Sequence, residues 1–171
     1  AGMTLRLHNN NFRIQVYTND PNDPQRKAIT ASMTPVIFSV MLEMVKEAIA
    51  APGKYQNVIN NLGHKYNGSQ RSEKPEVLSR THVLKDDAGV IYLSIVEHGR
   101  PNIKFPLIND QWHSFLDGDG NAMEKGTASN LYARGWYSLW SKLAAHACTD
   151  PGDGALVQCL YRLEEHSGGL G

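Results

Sequence analysis

Several things are scarce in this chain of 171 residues, and each scarcity excludes something. Cysteine occurs twice, as Cys148 and Cys159. That is too few for a disulfide framework and lacks metal-ligand spacing, so a reduced intracellular setting is expected. Net charge is nil, with 17 basic side chains against 17 acidic ones, which argues against a strongly basic duplex-DNA binder. No apolar run approaches the roughly 18 residues that span a bilayer. No basic-then-apolar leader opens the chain, so the expectation is a cytoplasmic protein without a membrane partner. Ala1-Gly2 ahead of Met3 reads as a remnant of tag cleavage, with Met3 as the expected natural start.

Signatures of catalysis are equally scarce. There is no GxxxxGK[ST] loop to cradle phosphates and no GxSxG elbow to present a serine. The seven histidines (8, 64, 82, 98, 113, 146 and 166) lack the i, i+4 pairing that puts two ligands on one helix face. Asp117-Gly118-Asp119-Gly120-Asn121 opens like an EF-hand loop. Its sixth and twelfth positions, however, are Ala122 and Ala128, where such a loop needs Gly and a bidentate Glu. That segment is expected to be a polar turn. No enzyme activity, metal or cofactor is expected.

What the chain does contain is alternation. Phe12–Tyr17 reads as a half-buried strand, with Leu5–Leu7 as its partner across the turn at His8-Asn9-Asn10-Asn11. Ala28–Met33 is a further strand and leads to Thr34, a suitable cap, and Pro35, a suitable first helical residue. The apolar stripe from Val36 to Ile49 then predicts a helix, stopped by Ala51-Pro52-Gly53. Residues 54–75 are polar, with at most one helical turn at Val58, Ile59 and Leu62, and Gly63–Lys74 is expected to be mobile. Strands resume at Glu76–Leu84, Val90–Val96 and Asn102–Leu107, and Asn109 and Asp110 are expected to start a short helix over Gln111–Leu116. An aromatic helix is expected over roughly Ser129–Ala147. The spacing of Leu156, Leu160 and Leu163 predicts a helix over Ala155–Leu163, against the strand preference of Val157, Cys159 and Tyr161.

Two strand-then-capped-helix units imply an α+β fold, a twisted antiparallel sheet with helices on one face. Strict alternation sends Arg13, Gln15, Tyr17, Thr30, Ser32, Arg80, His82, Tyr92, Ser94 and Lys104 to the other face. That set holds cations, hydroxyls, an amide and tyrosines, and no Asp or Glu. Cations meet phosphates and rings stack on bases, so a single strand of nucleic acid suits such a face. Any solvent-facing sheet side is polar, however, and ten residues can lack acids by chance. In the aromatic helix, Tyr132, Trp136 and Trp140 suit either a core or a subunit interface.

The order of these elements resembles the whirly-type single-stranded-DNA-binding proteins. The likeness is densest at Val83-Leu84-Lys85, Ile91-Tyr92-Leu93-Ser94-Ile95 and Phe105-Pro106-Leu107-Ile108 ahead of Trp112 and Phe115. It covers residues 5–116 of an expected single domain, 3–171, with 117–171 as a helical extension. Arg26-Lys27-Ala28 partly matches the plant members' Lys-Gly-Lys-Ala motif and brings Lys27 into the candidate set. The chain looks closest to a phage-encoded branch that coats single-stranded DNA and serves as a cofactor of the phage RNA polymerase in the host cytoplasm. The resemblance implies a homo-oligomer, commonly a tetramer, that binds with little regard to sequence. On this reading Arg13, Lys27, Arg80 and Lys104 hold phosphates, Tyr17 and Tyr92 stack on bases, and Gln15, His82 and Ser94 complete the face. Trp136, Trp140 and Tyr132 would form the oligomer interface. Two rivals stand beside it: an interaction or virion structural module built on the aromatic helix, and a small enzyme using the Gly63–Lys74 or Asp117–Asn121 loops.

Overall fold

The computed structural model describes residues 1–25, 27–149 and 161–164, with backbone alone for 147–149 and 161–164. The chain is α+β, and its described strands divide between two four-stranded antiparallel sheets and a two-stranded ribbon instead of forming one sheet. Sheet A has the order β10-β1-β2-β3, built from β1 (Gly2–His8), β2 (Asn11–Tyr17), β3 (Ile29–Met33) and β10 (Tyr161–Glu164). Asn9 and Asn10 both adopt positive φ in the two-residue turn between β1 and β2, a geometry asparagine tolerates and one that matches strand twist. Helix α1 (Pro35–Ala50) follows β3 directly. The Thr34 hydroxyl accepts from the Ile37 backbone N–H at 3.3 Å, and Pro35 occupies the first turn, as the sequence predicts.

Sheet B has the order β4-β7-β8-β9, from β4 (Tyr55–Gly63), β7 (Glu76–Lys85), β8 (Ile91–Val96) and β9 (Phe105–Pro106). Strand β4 overturns the expectation for 54–75. It pairs with β7 along its full length, with a bulge at Asn61/Leu62. Beyond it the expected mobile stretch holds a small ribbon, β5 (Tyr66–Asn67) against β6 (Gln70–Arg71). The expected strand Asn102–Leu107 shortens to β9, and in place of the expected helix at Gln111–Leu116 there is a turn at Gln111-Trp112, with Leu116 in an isolated bridge to Ala122 across the Asp117–Asn121 loop. Only Asp110 accepts a backbone N–H as a cap would, and Asn109 donates instead. The Asp110 carboxylate accepts from the Trp112 N–H at 2.8 Å, and the Asn109 amide donates to the His113 carbonyl. Of the predicted helix at Ala155–Leu163, residues 155–160 lie outside the described set, and 161–163 belong to strand β10.

Helix α2 (Lys125–Thr149) runs antiparallel to α1: Asn130 donates to the Ile49 carbonyl at 3.0 Å and Tyr137 donates to Glu43 at 2.9 Å. The core lies between the inner faces of both sheets and these helices. Phe12, Ile14, Val16, Ile29, Ala31 and Met33 come from sheet A, and Val83, Ile91, Leu93, Ile95 and Phe105 from sheet B. Phe12 stacks on Phe38 with ring centroids 3.9 Å apart, and Trp140 meets both edge-on. Trp136 and Trp140, expected at a subunit interface, are 4% and 2% exposed and belong to this core; Tyr132 is half-buried against it. The correction lies in the packing: α2 lies along α1 and against β8, and Trp140 reaches the Phe12–Phe38 stack, so these rings belong to the core. No helix among the described residues is long and apolar enough to cross a membrane.

Candidate nucleic-acid interface

Because side chains alternate along a strand, the residues between the core positions face outward. On sheet B the register sets Val58 opposite His82, Asn60 opposite Arg80, His82 opposite Ser94, and Leu84 opposite Tyr92. Arg80 and Lys104 are exposed, and both lie close enough to His82 to disfavour its protonation. Burial is the larger cause, and together these effects lower the His82 pKa. Beside them Tyr92, Leu84, Gln56, Lys54 and Lys104 line an open groove of about 410 Å³.

The Tyr92 ring is held in place at its tip. Its hydroxyl donates to Asp86 at 2.8 Å, and burial together with that carboxylate pushes its pKa up to about 12. The hydroxyl therefore stays neutral, and its hydrogen bond fixes the edge of the ring within the groove. Asp86 also corrects the expectation of an acid-free face. It lines the same groove, although its two oxygens already accept from Tyr92 and from the Val90 N–H at 2.9 Å. Ser94 is corrected as well. It is 1% exposed, and its hydroxyl donates to the Ile103 carbonyl at 2.6 Å, which ties β8 to the segment carrying Lys104. It positions that lysine and has no hydroxyl left to offer a ligand.

The remaining predicted residues lie elsewhere. Arg13, Gln15 and Tyr17 are on the outer face of sheet A, so the single face read from the sequence is two faces. Tyr17 is 44% exposed. Gln15 donates to the Thr30 hydroxyl at 3.4 Å, while its own carbonyl oxygen is shielded without a partner. Lys27 is exposed in the loop before β3, where its backbone carbonyl accepts from Arg100. Three residues escaped the sequence reading. Arg6 is the direct register partner of Arg13, and Tyr66 is the partner of Arg71 across the β5–β6 ribbon. Arg6 lies within the expected strand Leu5–Leu7, where alternation between Leu5 and Leu7 already sends it to the outer face.

The predicted polar turn at Asp117–Asn121 is present. The Asp117 carboxylate accepts from the backbone N–H groups of Asp119 and Asn121, each at 2.9 Å, and these bonds lower its pKa. Among the described residues no group of three His, Cys, Asp or Glu side chains is placed to hold a metal ion. Comparison with protein-family models, with curated proteins and with solved structures finds no match to this chain.

Proposed function

We propose that this protein binds single-stranded DNA without chemistry and with little regard to base sequence. The observation that carries the reading is the outer face of sheet B, where Lys104, Lys54 and Lys85 line a groove walled by the immobilised ring of Tyr92, and Arg80 and His82 lie near Lys104 on the same face. Cations beside a fixed aromatic wall meet the two needs of a single strand, phosphate neutralisation and base stacking. Net charge is nil, but three lysines, Lys54, Lys85 and Lys104, line this one groove. The succession of a sheet and a helix, twice over, supports a whirly-like arrangement. A homo-oligomer acting as a phage RNA polymerase cofactor is the fuller form of the proposal and rests on the resemblance alone.

The test is titration of a fluorescent single-stranded oligonucleotide, with matched duplex and RNA beside it, at low and moderate salt. We expect preference for single-stranded DNA and affinity that falls as salt rises. The double substitution Arg80→Ala with Lys104→Ala should weaken binding by about tenfold or more. Tyr92→Ala should cost about 1–3 kcal/mol of binding if a base stacks there. Absence of binding to all three nucleic acids at low salt would end the proposal. One observation favours an interaction module instead: Trp112 is 81% exposed, and Leu131 and Leu139 of α2 are exposed as well. If that reading holds, Trp112→Ser changes the assembly size in light scattering and nucleic acid does not.

A further inference from the structure

Sheet A carries its own concentration of positive charge, apart from the groove on sheet B. Arg6 of β1 and Arg13 of β2 are direct register partners, so their side chains leave the same face side by side. Directly opposed residues hold their β-carbons about 4.5–5.5 Å apart, and like charges at that separation oppose strand pairing. No carboxylate among the described residues forms an ion pair with either guanidinium. The Nε atom of each is shielded from solvent and has no hydrogen-bond partner. Around them the same face presents Thr4, Thr30, Ser32 and Gln15, all neutral and all able to hydrogen-bond. Two adjacent guanidiniums, each with an unmatched Nε–H and with no acid paired to them among the described residues, suit a tetrahedral oxyanion that accepts from both.

We infer that Arg6 and Arg13 form a phosphate-binding site on the outer face of sheet A, occupied by a backbone phosphate of the bound strand. The occupant rests on the single-strand reading above; the anion site does not. A strand held there and in the sheet B groove is gripped on two faces of one protein. An anion between the two guanidiniums also removes their mutual repulsion.

The experiment uses the full chain and the variants Arg6→Gln, Arg13→Gln and the double substitution. Inorganic pyrophosphate is titrated while the arginine Nε–Hε resonances are followed by NMR. Two resonances, assigned by their loss in the single variants, should move together and saturate. In parallel, affinity for a single-stranded oligonucleotide is measured over a range of salt. The double variant should bind about tenfold more weakly at low salt, with the slope of log affinity against log salt reduced by roughly 0.7 for each phosphate no longer neutralised. Its thermal midpoint without ligand should equal or exceed that of the parent, which separates lost binding from lost folding. Unmoved resonances together with parental affinity and slope in a folded double variant would overturn the site. Saturable shifts with pyrophosphate in a protein that binds no oligonucleotide would support the site and overturn its occupant.

Discussion

His82 sits between two cations that a bound phosphate would neutralise, and its protonation reports on both folding and binding. Its pKa is lowered in the folded chain, by burial first and then by Arg80 and Lys104. The unfolded chain, near the ordinary value of 6.5, takes up the proton more readily. Stability is therefore intact above that value and is lost as pH falls through 6.5 toward the lower folded one. Urea midpoints compared between about pH 7.5 and about pH 5.5 should fall more steeply for the parent than for His82→Gln. Binding runs the opposite way. A phosphate that offsets Arg80 and Lys104 draws a proton onto His82, so oligonucleotide affinity should rise over the same acid interval and His82→Gln should flatten the rise. At another single position, Trp140→Ala empties a site packed against Phe12 and Phe38 and should cost about 3–5 kcal/mol in denaturant unfolding. Trp140→Phe should cost less, since the indole N–H it removes has no partner.

Among the elements, α2 does more than cover the core. Its buried Ser129 hydroxyl accepts from the Ile91 N–H and donates to the Leu107 carbonyl, both at 2.9 Å, bridging the same two residues that the Leu107 N–H and Ile91 carbonyl already join at 2.7 Å. Ser129→Ala strands a buried donor and a buried acceptor together and should destabilise the chain by about 1–3 kcal/mol, read as a shift in the urea midpoint. Elements whose local chemistry agrees with their packing were legible in the sequence: the Asn9-Asn10 turn, the Thr34-Pro35 start of α1, and the strands flanking the turn at Asp86–Gly89. Strand β4 was illegible because part of its inward face is polar. Asn61 points inward and donates to Ser79 and to the Thr81 hydroxyl at 3.0 Å, so apolar alternation never develops. Asn109 and Asp110 misled because the side chains that cap helices close tight turns equally well. Arg6 and Arg13 form a pair through the register that the Asn9-Asn10 turn fixes, so the predicted hairpin implies the pair once the turn is counted as two residues.

At the level of the molecule, one buried ion pair joins the loop before β3 to the turn between β8 and β9. Arg100 donates through Nε and Nη2 to both oxygens of Asp23, at 3.0 and 2.7 Å, and through Nη1 to Glu97 at 3.0 Å; the Thr18 hydroxyl completes the shell around Asp23. The Arg100 hydrogen bonds, and then that of Thr18, hold the Asp23 carboxyl well below the usual carboxylate range. The stabilisation is present above the ordinary value of 3.8 and is lost only as pH falls below it. Arg100→Gln leaves a buried carboxylate without its counter-charge and should lower the thermal midpoint by roughly 10 °C. It should also move acid unfolding, followed by circular dichroism, to higher pH. Because Arg100 also holds the Lys27 carbonyl, the same variant frees the loop that carries Lys27 and tests whether that lysine needs a fixed position to contribute to binding.

Strand β1 leaves the ribosome long before its outer neighbour, β10, which is made only after both helices. Throughout that interval the outer edge of β1 has unpaired backbone groups, and any strand of the right register can take the place of β10. An edge left open in this way would accept the β10 segment of a second chain made beside it as readily as its own. If such exchange occurs, synthesis rate and the crowding of neighbouring ribosomes would set how often it happens.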